Sequence, residues 1–289
     1  MPWSFKRAPE LAALAAIAAL TVMAGPARAE DGAAPANDNL NAVLWTQRAV
    51  EAKANALGAF ALARIRLDEA LADPTRTALP AEQTGEVEDL PPAVICDVDE
   101  TLLDTSPYQA WTVLEGTAFD PKTWTAFVNS KTSRPVPGAV EFTRYAAEKG
   151  VKVFYVTNRT AEEESATREN MAALGFPMGD NVDTFLSAKE KPDWGSAKGT
   201  RRAVIAADYR VLLVIGDNLG DFTDAYRQDE AGRLKVYEEN AERWGKDWIV
   251  IANPTYGSFE AAPYGFDYKK SPAEQRAAKR EALEAWAGP

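Results

Sequence analysis

The sequence predicts an α/β fold, a parallel sheet flanked by helices. Three observations carry that reading. Five short apolar runs recur along the chain: PAVIC at 92–96, VKVFYV at 151–156, VDTFL at 182–186, VLLVI at 211–215 and WIVIA at 248–252. Runs this short and this apolar suit strands buried on both faces. Helical stretches lie between them, and alternating strands and helices imply parallel pairing through right-handed crossovers. Two of the runs end directly in acids, where an open parallel sheet binds its ligands.

The chain of 289 residues opens with a leader. MPWSFKR carries two positive charges, residues 11–25 are uninterruptedly apolar, and Ala27-Arg28-Ala29 gives the small-x-small pattern of a signal-peptidase site. Residues 1–29 are thus read as a signal peptide. The apolar run is short for a membrane span of about 20 residues, and no cysteine stands near it for lipid attachment. The expectation is a periplasmic or secreted protein with no stable membrane anchor after cleavage. Losing Lys6, Arg7, Arg28 and Glu10 takes the net charge from −11 to about −13.

Residues 30–38 read as a flexible N-terminus and 39–89 as a helical region followed by a linker. Leu40, Val43, Leu44, Val50, Leu57, Ala61 and Ile65 recur at helical spacing, as one long helix or two short ones. Four prolines and several acids mark 73–92 as the linker. The core spans 90–270. Within it, helix 137–149 begins with Pro and stops before Gly150. Thr160 and Glu163 form a capping box for a helix that stops before Gly175, and 196–207 reads as another helix. Ser271-Pro272-x-Glu274 opens a last helix in 271–289.

Composition narrows the chemistry. Histidine is absent, which removes Ser-His-Asp hydrolases, Cys-His proteases, histidine phosphatases and most zinc enzymes. The single cysteine, Cys96, cannot form an intrachain disulfide; it should point away from its acidic neighbour as a small buried hydrophobe. The charge of −11 argues against a nucleic-acid polymer as partner. Catalysis is left to carboxylates, Lys, Arg, hydroxyls, amides and a hard cation held by oxygen.

The acids at the strand ends fit that remainder. VICDVDETLLDTSPY carries Asp97, Asp99, Glu100 and Thr101; LLVIGDNLGDF carries Asp217 and Asp221. Carboxylates crowded at one sheet edge are tolerable when a cation sits among them or a proton is shared, and acids alone favour Mg²⁺ when phosphate is also a ligand. VFYVTNR offers Thr157, Asn158 and Arg159, and GSAKGTRR offers Lys198. A hydroxyl and an ammonium are what a phosphoryl group needs.

In that order, D-V-D-E-T, T-N-R, a Lys and G-D-N-x-x-D-F resemble the four motifs of the haloacid dehalogenase superfamily of phosphatases. The longer strings VICDVDETLLDTSPY, FDPKTWTAFVNS, RPVPGAVEF, VFYVTNR, VIGDNLGDF and NPTYGSFE resemble the class C nonspecific acid phosphatases, a group that includes bacterial surface 5′-nucleotidases. The resemblance covers roughly 90–259. It implies a Rossmann-like sheet with a small helical cap or N-terminal helical layer. It implies Asp97 as nucleophile, forming an aspartyl-phosphate, and Asp99 as general acid and base. Mg²⁺ would be held by the Asp97 carboxylate, the Asp99 backbone carbonyl and Asp217, with Asp221 orienting waters or binding through one. Thr157, Asn158 and Lys198 would bind phosphate. Lys198 stands in Ala197-Lys198-Gly199, where the family commonly shows D-K-S; Lys189 and Lys191 are the other lysines nearby. Trp124 and Tyr256 resemble positions that clamp a nucleobase or aryl group. Tyr108 and Trp111 read as packing, and Glu100 as structural.

The implied activity is hydrolysis of small phosphomonoesters, nucleoside monophosphates and aryl phosphates among them, by a homodimer. Two other readings use the same residues: a phosphotransferase passing the phosphoryl group to an alcohol, and a surface protein that captures nucleotides without catalysis.

Overall fold

The structure is a computed structural model that describes residues 38–179 and 181–288. The leader expected at 1–29 and the segment 30–37 lie outside the described residues. Helices α1 (Leu40–Arg48) and α2 (Val50–Ala72) come first, broken only at Ala49, whose backbone is extended. Strand β1 (Pro92–Cys96) follows, then β2 (Leu103–Asp104), α3 (Ser106–Leu114), α4 (Pro121–Asn129) and β3 (Arg134–Pro135). Next come α5 (Ala139–Glu148), β4 (Lys152–Thr160), α6 (Glu164–Leu174), β5 (Phe185–Ala188) and α7 (Gly199–Asp208). The chain closes with β6 (Arg210–Gly216), the single turn α8 (Leu219–Phe222), α9 (Glu230–Glu239), β7 (Trp248–Val250) and α10 (Pro272–Glu281).

Five strands form one parallel sheet in the order β5-β4-β1-β6-β7, the α/β architecture the alternation predicts. β2 and β3 make a separate antiparallel pair beyond the end of β1. Alternation along each strand divides the core. Val94, Cys96, Val153, Tyr155 and Ile215 face α2 and α5, where Ala56, Phe60, Leu67 and Phe142 pack. Ala93, Ile95, Phe154, Val156 and Val214 face the other way, toward Ile205 and Ala206 of α7. The Phe60 and Phe142 rings meet at 5.8 Å, and fully burying a side chain of that size contributes about 1.5–3 kcal/mol. Cys96 is buried, as expected, and burial raises its thiol pKa far above the ordinary range.

The register slips once between β1 and β6: Ala93 pairs with Val211 but Val94 pairs with Leu213. Leu212 is the extra residue, and Leu212 and Leu213 consequently share one face. Residues 73–91, read above as a linker, carry neither helix nor strand yet lie against the sheet. The Ala78 N–H donates to the Val211 carbonyl at 2.7 Å, and the buried Gln83 amide reaches Ala206, Tyr209 and Val211.

Boundaries move where local chemistry intervenes. Both capping boxes form, Thr160 with Glu163 and Ser271 with Glu274. Gly175 ends α6 with φ 87°, a left-handed turn that glycine adopts without a Cβ penalty. The helix expected at 137–149 starts two residues late because Gly138 is itself left-handed. The strand expected at 182–186 begins at Phe185, since the chain still turns through Val182, whose N–H bonds the Gly179 carbonyl.

Candidate active site

β1 lies between β4 and β6, with Cys96 level with Tyr155 on one side and Ile215 on the other. The strand ends therefore set Asp97 beside Asp217 and next to the stretch that carries Thr157. Parallel pairing continues one residue further, as the Asp97 N–H donates to the Ile215 carbonyl at 2.9 Å. Asp221 enters from α8. Asn218 caps that turn, and the Asn218 N–H donates back to Asp221 Oδ2 at 2.9 Å. A Cβ on Gly216 would stand 2.3 Å from the same oxygen, so only glycine lets this carboxylate lie against the strand end.

One oxygen from each of Asp97, Asp217 and Asp221 falls within 4.8 Å of the others. Lys198, at the start of α7, closes the group. Its buried Nζ donates to Asp97 Oδ1 and lies 2.7 Å from Asp221 Oδ1. Lys189 and Lys191 are exposed, with Lys191 over the Trp194 ring, so Lys198 is the one of the three that the structure brings to the acids. Burial pushes the Asp97 carboxyl up to about 6; Lys198 opposes the rise, and Asp221 and Asp99 add to it. Burial, then Asp221 and Asp97, hold the Asp217 carboxyl well above the usual carboxylate range. Burial alone would lower the Lys198 pKa, but Asp221 and Asp97 outweigh it and keep the ammonium charged. Asp217 also receives Thr101 Oγ1 at 3.0 Å and Asn253 Nδ2 at 2.8 Å.

Asp99 stands apart from this trio. Its carboxylate is gripped by Arg159, with Nε 3.0 Å from Oδ1 and Nη2 2.7 Å from Oδ1. Glu100 has φ 57° and turns its buried carboxylate toward Thr105, accepting from the Thr105 N–H at 3.0 Å and from its hydroxyl. Burial, then Asp99, push the Glu100 carboxyl up to about 8. The Tyr256 hydroxyl donates to the other Glu100 oxygen.

Thr157 is buried toward the end of β4, just before the bulge at Asn158 and Arg159, and its Oγ1 accepts from the Arg159 N–H at 3.1 Å. The Asn158 amide is taken up in a loop network: Nδ2 donates to the Ser196 carbonyl at 3.1 Å, and Oδ1 accepts from Arg201 at 2.7 Å. Trp124 belongs to an aromatic cluster on α3 and α4. Its ring meets Tyr108 at 5.1 Å, Phe127 at 5.7 Å and Phe119 at 6.0 Å. Tyr108 is buried at the centre, and Trp111 packs on it at 5.8 Å. Trp124 and Tyr256 make no ring contact with each other among the described residues; Trp124 faces Arg159 at 5.7 Å, while Tyr256 is tied to Glu100.

Three residues at the site had no role assigned from sequence. Arg159 was visible in VFYVTNR, but nothing in that string names its partner. Asn253 follows the end of β7, where the strand-end rule that located the acids applies equally. Arg201 gave no signal: one face of its buried guanidinium gathers the Thr157, Gly195 and Ala197 carbonyls and the Asn158 amide, joining the two loops that carry Thr157 and Lys198.

The arrangement provides a carboxylate held by an ammonium, an all-oxygen cluster suited to a hard cation, and a second carboxylate on an arginine fork. Comparison with known proteins agrees. The family model for the HAD superfamily, subfamily IIIB (Acid phosphatase), matches residues 22–259. The fold is similar to that of the class C acid phosphatase from Bacillus anthracis, with 30% identity, 87% of this chain and 98% of that chain covered, and a TM-score of 0.77. A second structure of that enzyme, with tungstate bound, matches at 30% identity, the same coverage of 87% and 98%, and a TM-score of 0.77. The chain belongs to subfamily IIIB of the HAD superfamily and is an acid phosphatase of the class C type, a phosphomonoesterase.

Proposed function

We propose that the protein is a secreted, Mg²⁺-dependent phosphatase that hydrolyses phosphomonoesters through an aspartyl-phosphate on Asp97. The observation that carries this reading is the close set of Asp97, Asp217 and Asp221 with Lys198 bonded to two of them. Three carboxylates against one ammonium leave an excess of negative charge in a buried place. Their donors are all oxygen, which suits Mg²⁺ better than a softer metal. The Asp97 and Asp217 carboxylates and the Asp99 backbone carbonyl would hold it, with Asp221 beside them. When bound, the cation would offset charge that otherwise keeps an anionic nucleophile from an anionic ester.

The chain's own groups then divide the work. Lys198 and Thr157 hold the phosphoryl oxygens. An Asp97 oxygen forms a bond to phosphorus as the ester P–O bond breaks, and the leaving oxygen takes the proton of Asp99. Asp99, now a carboxylate, takes a proton from water as that water attacks phosphorus. The Asp97–phosphorus bond breaks, and Asp97 returns as a carboxylate with Asp99 reprotonated. Tungstate, the ion bound by the Bacillus anthracis enzyme, is a tetrahedral oxyanion like phosphate, which supports a site of this shape. The aromatic cluster around Trp124 supports a preference for nucleoside monophosphates and aryl phosphates, since stacking tolerates any base. The same reading keeps the leader at 1–29, the core at 90–270 and a homodimer.

The test is phosphate release from nucleotides, sugar phosphates and 4-nitrophenyl phosphate, with and without chelator. Chelation should stop release and Mg²⁺ restore it; a rate indifferent to chelator overturns the metal. Asp97→Asn should fold normally by circular dichroism and lose more than about 10⁴-fold in rate. Near-native release by that variant overturns the nucleophile.

A further inference from the structure

The grip of Arg159 on Asp99 is built from more directions than an ordinary ion pair. Along β4 and β5, Thr157 pairs with Ser187 but Thr160 pairs with Ala188, so Asn158 and Arg159 form a bulge. Bulges re-aim side chains, and this one sends Arg159 to Asp99, in the turn that follows β1. Its Nε lies 3.0 and 3.2 Å from the two Asp99 oxygens, and its Nη2 lies 2.7 Å from Oδ1. On the far side, Nη1 donates to Thr167 Oγ1 at 3.0 Å, and that hydroxyl is itself anchored on the Glu163 carbonyl at 2.8 Å. The Trp124 ring covers the guanidinium at 5.7 Å. The Arg159 side chain is 1% exposed and that of Asp99 15%, so the arginine is enclosed and the carboxylate keeps one open side.

We propose that Arg159 is the positioning residue for Asp99: its fork fixes the plane of the carboxylate so that the open side meets the leaving oxygen and later the attacking water. A lysine would supply the charge without the planar fork. This rests on the reading of Asp99 as proton donor and acceptor, and the test separates the two claims.

Arg159→Lys, Thr167→Val and Asp99→Asn are compared with the parent on a nucleoside 5′-monophosphate and on 4-nitrophenyl phosphate. The first leaves as an alkoxide that needs a proton; the second leaves as a stable phenolate that does not. For Arg159→Lys, kcat/KM on the nucleotide should fall about 10²-fold, the usual worth of a placed general acid. On 4-nitrophenyl phosphate it should fall far less, and a burst of 4-nitrophenolate should precede a slowed steady state, because the same carboxylate serves the water step. Thr167→Val, which removes only the anchor of Nη1, should show the same selectivity at smaller size. Equal losses on both substrates, or none, overturn the proposal, and if Arg159→Lys does not fold, Thr167→Val decides on the same criterion. If Asp99→Asn loses both substrates equally, the role of Asp99 as acid and base is what fails. If Asp99→Asn is selective and the Arg159 and Thr167 variants are not, Asp99 keeps its role and Arg159 loses the one proposed here.

Discussion

At the strand ends, Asp97, Asp217 and Asp221 are fixed by a backbone N–H, the Lys198 ammonium, a hydroxyl and an amide. Beside them, α3, α4 and the turn between them present Tyr108, Trp111, Phe119, Trp124 and Phe127, held by ring against ring at 5.1–6.2 Å. The first region is buried charge, which is tolerable only with partners at the right distance and angle. The second is apolar surface, whose attraction is broad in direction. A centre built of directional contacts should fail on small changes, whereas a wall of rings should adapt to them.

That contrast can be broken at either end. Lys198→Ala removes the ammonium from the centre, and kcat should fall about 10²–10³-fold on every substrate alike; a loss confined to aromatic substrates would merge the two regions. Gly216→Ala adds only a methyl group, yet that methyl would meet Asp221 Oδ2. Overpacking there should cost about 2–3 kcal/mol in chemical denaturation and, on the proposed metal reading, raise the Mg²⁺ needed for half activity. Trp124→Ala should raise KM about tenfold for nucleotides and aryl phosphates while sparing a small alkyl phosphate, with Trp124→Phe close to the parent. A fall in kcat on all substrates would make Trp124 part of the centre. Tyr108→Phe removes a hydroxyl that lies 2.9 Å from Thr123 Oγ1 under the wall, and should cost about 1 kcal/mol of stability.

The same contrast explains what could be read from the sequence. The strands were legible because burial on both faces leaves an uninterrupted apolar run, and Asp97 and Asp217 because they stand within two residues of the ends of two such runs. The extra residue Leu212 was not legible: VLLVI reads identically with or without a bulge. The break at Ala49 carries no Gly or Pro to announce it. Arg159 and Arg201 escaped assignment because their partners are an acid beyond the end of another strand and a set of backbone carbonyls, neither of which leaves a spacing rule. The hydroxyl of Tyr256 is similar. As a letter it suggests a ring to stack on, and its bond to Glu100 exists only once β1 and β7 share a sheet.

The strand order has a bearing on how the enzyme comes into being. Thr101 and Asp217 are 116 positions apart, and Lys198 is 101 from Asp97. Pairings over such distances form late in a chain's search for its native state. A molecule emerging from synthesis would hold Asp97 long before it held Lys198 and Asp217, and would be inert throughout. Recovery of turnover after dilution from denaturant therefore times the docking of β6 against β1, whereas recovery of helical signal does not.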